Sequence, residues 1–132
     1  MAISIKAIEK GEPGVAGGGE TKWYASANAT GDININELSE LIEMISTVSD
    51  IDISGVLKSF IKVVPRELAA GNIVRLGDLG YLRVSISSEG HDSEDEVGPN
   101  SVIGRRIIFT PGPELKKMLH NLEFKKINGE AS

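Results

Sequence analysis

Hydrophobic positions recur at two spacings along the chain, and each spacing predicts an element. From Ala2 to Glu9, Ile3, Ile5 and Ala7 alternate with Ser4 and Lys6, the period of two of a strand. Lys22 to Ala27 reads as a second strand, and the stretch between them, Lys10 to Thr21, as a flexible hairpin loop with Pro13 and the run Gly17-Gly18-Gly19. Three adjacent glycines invite comparison with a phosphate cradle. A cradle needs a strand before it and a helix after it, and here a strand follows. A lone hairpin is barely stable in water, so this one must lie against other parts of the chain, with Trp23 expected as a buried or partly covered anchor.

From Gly31 to Thr47 the period changes to that of a helix. Ile35, Leu38, Leu41, Ile42 and Ile45 form one apolar stripe, and Asn34 followed by Glu37 is a variant capping box. Glu37, Glu40 and Glu43 fall on the other faces and read as a solvated surface. Val48 to Asp52 is a turn with Ser and Asp as cap candidates. A second helix then runs to about Ala70. Its apolar positions, among them Ile53, Val56, Leu57, Phe60 and Ile61, are too many for a narrow stripe. A helix apolar on so many sides needs cover from more than its own small core, and a partner subunit is the economical source. Pro65 lies inside this run, removes a backbone donor and crowds the preceding turn, so a kink or break is expected near Val63 and Val64.

The chain turns on Gly71 to Val84, GNIVRLGDLGYLRV. Gly71 is placed to end the second helix with a positive φ. Ile73, Val74 and Leu76 favour a short strand, Gly77 to Gly80 makes a tight corner, and Tyr81 to Ile86 starts a longer strand. An exposed segment, Ser87 to Ser101, carries the breakers Gly90, Gly98 and Pro99, and Val102 to Phe109 returns as the other side of a hairpin whose tip is expected to be mobile. Thr110 to Pro113 opens a short helix, with Pro113 in its first turn and Glu114 beside its positive end. Leu115, Met118, Leu119 and Leu122 form the side expected to be buried. Glu123 to Asn128 resembles a last strand, expected to pair with the N-terminal hairpin, and Gly129 to Ser132 a frayed end.

Composition narrows the function classes. With 132 residues the chain fits one domain, and the 40% hydrophobic and 25% charged contents are those of an ordinary globular protein. There are no cysteines and only two histidines, which leaves no disulfide or thiolate metal site and makes zinc improbable. His120 reads as a surface residue. No nucleophile, base and acid are set out in a recognised pattern, so neither an enzyme, a cofactor nor a small-molecule substrate is expected. The N-terminus lacks the layout of a signal peptide and no run approaches a membrane span, so a cytoplasmic protein without membrane contact is expected.

Net charge is −5, but unevenly spread. Residues 31–72 carry three basic and seven acidic groups, whereas residues 111–132 carry four lysines and three glutamates. Arg75, Arg83, Arg105 and Arg106 lie on or beside the predicted hairpin, and Lys116 and Lys117 on the helix after it.

The order of elements and the corner resemble the HU/IHF family of bacterial DNA-bending proteins. Those proteins carry a Gly, an apolar strand, a corner like G-F-G-T-F, a long β-arm and a helix opening P-G-x-x-L-K. The last motif stands here as Pro111-Gly112-Pro113-Glu114-Leu115-Lys116, with Pro113 where the family usually has a basic residue. The resemblance runs from about Asn34 to Leu122 and is closest to the longer HU relatives with an added N-terminal hairpin. It implies an α+β fold: two N-terminal-side helices interlocked in a homodimer, a β-sheet saddle with an arm hairpin, and a short C-terminal helix. Residues 1–30 would be the hairpin extension and 31–132 the HU-like domain. It further implies a nucleoid protein that binds double-stranded DNA through its backbone and minor groove, with low sequence preference, and bends it by unstacking base pairs. Arg75, Arg83, Arg105, Arg106, Lys116 and Lys117 would be the contacts. Pro99, near the arm tip, stands where a wedge would be, although it also reads as a simple loop proline.

Glu89 to Glu96, EGHDSEDE, opposes that reading. It holds five carboxylates and no Lys or Arg, where binding to DNA gains from neutralising phosphates and releasing counterions. The alternative is a dimeric structural or protein-interaction module that has kept the HU fold and lost strong DNA binding.

Overall fold

A computed structural model of the chain describes residues 1–12 and 14–127; Pro13, Asn128 and the frayed end expected at Gly129 to Ser132 lie outside the described residues. The chain divides into two compact units.

One unit combines Met1–Ile33 with the C-terminal residues from His120 onward. Strand β1 (Ile3–Gly11) pairs antiparallel with β2 (Thr21–Asn28), and a short β6 (Phe124–Lys126) pairs parallel to β1, giving the order β2-β1-β6. The last strand thus joins the N-terminal hairpin as its composition suggested. The glycine-bearing connection is short and contains one 3-10 turn, Ala16–Gly18, with no helix after it to make a cradle. Trp23 corrects the expectation of a buried anchor, because it is 67% exposed. Its cross-strand partner is Glu9, and the sheet face they share lies open.

The other unit is Asn34–Leu119. Helix α1 (Ile35–Glu43) is shorter than the apolar stripe suggested. Asn34 holds an extended backbone, and its Oδ1 accepts the Glu37 N–H at 2.9 Å, which sets the first helical residue at Ile35. Helix α2 (Asp50–Ala69) starts at Ser49, whose Oγ accepts from the Asp52 N–H, with Asp50 and Asp52 favourable beside its positive end. The Glu43 carboxylate accepts the Asp50 N–H at 2.6 Å and ties the end of α1 to the start of α2.

The expected break at Pro65 does not occur; α2 runs as one helix of 20 residues. Pro65 cannot donate to the Ile61 carbonyl. Both residues are exposed, so water can serve that carbonyl instead. Gly71 follows the helix with φ 93°, and its N–H donates to the Leu68 carbonyl at 3.0 Å, the glycine cap the sequence called for.

Strands β3 (Val74–Arg75), β4 (Gly80–Ser88) and β5 (Val102–Pro111) form an antiparallel sheet in that order, and α3 (Pro113–His120) follows. A bulge falls between Ser87 and Ser88, near the far end of the hairpin.

The corner is locked by backbone contact. The Gly112 N–H donates to the Leu79 carbonyl at 2.9 Å, and a Cβ on Gly112 would run into the Asp78 carbonyl. Gly80 has φ 140°, a region L side chains rarely adopt, and its own Cβ would strike the Thr110 carbonyl. Gly112→Ala is therefore expected to lower stability by about 2 kcal/mol or more, read as a shift in the chemical denaturation midpoint; an unchanged midpoint would contradict this packing.

Among the described residues, Ile53 and Leu68 are the only large apolar side chains that are buried, at 7% and 8% exposure. Ile51, Val56, Phe60, Ile61 and Val63 of α2 are all exposed. Met118 and Leu119 of α3 are exposed too, which corrects their expected burial, while Leu115 and Leu122 are half-buried.

Candidate nucleic-acid interface

The register of β3, β4 and β5 sorts the arginines. Successive strand residues point to opposite faces. Arg75 pairs with Tyr81, Arg83 with Ile108, and Ser85 with Arg106. These pairs occupy one face, together with Ser87 and Thr110. Two contacts agree with the assignment: the Arg75 guanidinium lies over the Tyr81 ring at 5.1 Å, and Arg106 donates to Ser87 Oγ at 3.5 Å. The opposite face carries Val74, Leu82, Val84, Ile86, Ile107 and Phe109.

Arg105 belongs to that second, apolar face, where Ile86 is its partner. The adjacent pair Arg105-Arg106 is thus divided between the two sides. Arg75, Arg83, Arg105 and Arg106 are all exposed. Only the face of Arg75, Arg83 and Arg106 combines cations with small hydroxyl side chains and a tyrosine. Such a surface supplies charge and hydrogen-bond donors to a polyanion, and its one large aliphatic side chain, Ile108, is half-buried. Tyr81 was not singled out from the sequence, although the i, i+2 series Tyr81, Arg83, Ser85, Ser87 carried the signal.

Lys116 and Lys117 are exposed on α3, whose first turn is set by the Lys116 N–H donating to the Gly112 carbonyl at 3.0 Å. The locked corner therefore fixes where this helix leaves the sheet. The two lysines share neither strand nor face with the arginines.

The arm ends in a folded cap. Between Ser88 and Val102 the chain makes two 3-10 turns, Glu94–Glu96 and Pro99–Ser101. Ser101 is 4% exposed and centres the cap. Its Oγ accepts the Gly98 N–H at 3.1 Å and lies 2.9 Å from His91 Nε2, and its carbonyl accepts the Glu89 N–H at 2.8 Å. His91 Nδ1 is 3.7 Å from the Glu96 carboxylate, beyond hydrogen-bond range. Serine, histidine and glutamate in line resemble a hydrolytic triad, but a buried hydroxyl that already accepts a backbone donor has no access to a substrate carbonyl. Pro99 opens the second turn and is exposed. Nothing in the spacing of His91 and Ser101 announced this clasp.

Ser101→Ala would leave the Gly98 N–H without its acceptor, at about 1–2 kcal/mol. Limited proteolysis is expected to cut Ser101→Ala between Glu89 and Val102 faster than the parent; equal cutting rates would mean the clasp does not hold the cap.

Two helices, a short strand, a corner, a two-stranded arm and a short helix with lysines make up the arrangement of the histone-like class. Residues 1–126 match the family HU-HIG, described as an HU domain fused to wHTH, Ig, or glycine-rich motif, and the chain belongs to that family. Its fold is also similar to a crystal structure from Bacteroides vulgatus ATCC 8482, provisionally described as a bacterial DNA binding protein, with a TM-score of 0.63 at 10% identity. That likeness covers 96% of this chain but only 48% of the other, so this chain spans about half its length. No curated protein matches the sequence. Among the described residues, no helix is long and apolar enough to cross a membrane, and no cluster of three His, Asp or Glu side chains is set to hold a metal.

Proposed function

We propose that this protein is an HU-like homodimer that binds duplex DNA with low sequence preference, bends it, and serves in organising the bacterial nucleoid of the cytoplasm. The observation that carries the reading is the segregation of Arg75, Arg83 and Arg106 onto one face of the sheet, opposite an apolar face. The apolar face and the exposed side of α2 are the surfaces to be covered in the dimer. The arginine face is then free for phosphates, with Lys116 and Lys117 as further contacts and Pro99 as the wedge candidate.

Arg105 starts from the apolar side, so its contribution to DNA affinity is expected to be smaller than that of Arg106. Contact of this kind recognises backbone and shape rather than base edges. A gel-shift titration of the purified full chain against a mixed-sequence duplex, repeated over a salt series, tests it. Binding should weaken steeply with salt; no shift even at low salt would overturn the reading.

The folded cap favours a second reading. Its five carboxylates sit at the far end of the arm, where they repel a duplex. A chain that dimerises yet ignores DNA at low salt would be a structural or protein-interaction module on the same fold.

A further inference from the structure

The three-stranded sheet of the first unit has an open face whose residues are arranged as a self-complementary pattern. Cross-strand pairing sets Ile5 opposite Ala27, Ala7 opposite Ala25 and Glu9 opposite Trp23, while β6 places Lys126 beside Ile5 and Phe124 beside Ile3. Strand alternation directs these onto one side. Its middle is a shallow trough of small residues, Ala7, Ala25 and Ala27, all exposed. One end of the trough has Trp23 and Glu9; the other has Phe124 and Lys126. Trp23 and Lys126 border a single groove floored by Ile5, Ala7 and Ala25.

We propose that this face is a self-association surface and that its occupant is the same face of a second copy. A two-fold axis crossing the strands at the level of Ala7 and Ala25 exchanges each end of the trough for the other. It carries Trp23 over the partner's Ala27, so the largest side chain meets one of the smallest. It carries Glu9 over the partner's Ile5, beside the partner's Lys126, so the one acid and the one base of the face meet their opposites. This is an isologous contact, in which a single surface serves both sides, and its geometry is that of two sheets stacked face to face.

A duplex suits the face less well, because Glu9 beside Trp23 would meet phosphate. A sheet of nine strand residues at ~3.3 Å and three strands at ~4.8 Å spans at most roughly 430 Å². That is about half of what each side of a standard interface buries. The contact is therefore weak by itself and fills where copies are already concentrated. It is separate from the arginine face and does not depend on the DNA reading.

Trp23 is the sole tryptophan and so reports directly on this face. Its emission is to be followed with the full chain between about 1 and 300 µM, alongside sedimentation velocity over the same range. The expected result is a blue shift with rising concentration, in step with a species of twice the mass seen at the lowest concentration. Ala25→Arg, which places a long cation in the trough, should abolish both while far-ultraviolet circular dichroism and duplex gel shift stay as in the parent. Glu9→Lys and Lys126→Glu should each weaken the association several-fold, and the double exchange should restore it.

Emission that is constant with concentration would overturn the proposal. So would association indifferent to Ala25→Arg, or a double exchange no better than the singles. A shift that appears only on adding single-stranded DNA would assign the face to nucleic acid and overturn it equally. The retained gel shift keeps these outcomes apart from any failure of the DNA reading.

Discussion

Replacing both Arg83 and Arg106 by glutamate is expected to abolish the duplex gel shift at moderate salt while leaving the circular dichroism spectrum unchanged. The two residues share the polar face of the sheet with Arg75, and neither is buried nor held in an ion pair among the described residues, so both are free for phosphate. In a homodimer the exchange alters four sites. Each lost phosphate contact lowers the slope of log affinity against log salt by about 0.9, so a fall of about 3–4 is expected. Four new carboxylates then add repulsion, and the loss of affinity should reach at least about a hundredfold.

Arg105→Glu provides the internal control. Its backbone is one residue from Arg106, but its side chain starts on the apolar face with Ile86 and Ile107. It should keep most of the salt slope. If Arg105→Glu removed the slope and Arg83→Glu plus Arg106→Glu did not, the assignment of faces to DNA would be inverted.

The second large effect is expected at Phe60. Placing glutamate there should convert the proposed dimer to a chain without a cooperative thermal transition. Two buried large side chains are far too few to stabilise a unit of this size, since each contributes only about 1.5–3 kcal/mol. Phe60 lies on the exposed side of α2 among Val56, Ile61 and Val63. In the proposed dimer these side chains would gain that energy when the partner covers them, which would couple folding to association.

The parent should accordingly show a melting midpoint that rises with protein concentration, and light scattering should give a dimer. Phe60→Glu should give monomer mass and a sloping melt. A concentration-independent midpoint, with Phe60→Glu folded and monomeric, would mean that the open apolar surface of α2 is not a subunit interface.

Much of the fold was legible because its signals are local. Asn34 and Ser49 cap their helices, Gly71 ends one, and Gly77 to Gly80 turns a corner that only glycines can occupy at its tightest points. Hydrophobic alternation marked β1. What misled was the assumption that an apolar or aromatic residue must be covered by its own chain. Trp23, Met118 and Leu119 all fit a burial pattern and are all exposed. At Pro65 the helix continues rather than breaking, because losing one hydrogen bond on a solvated helix face is too small a cost to end a long helix.

The candidate site was legible only as a list. Composition and spacing named the arginines and lysines, and resemblance supplied a use for them. Periodicity and capping act over a few residues, so the sequence alone determined the order of helices and strands and several of their caps, although α1 proved shorter than its apolar stripe. Which arginines share a face depended on strand register, which is set by pairing between residues far apart in the chain. The same long-range pairing divided Arg105 from Arg106, placed Tyr81 under Arg75, and closed His91 onto Ser101 to cap the arm. Those relations arise from contacts between distant segments, and only the tertiary structure decided them.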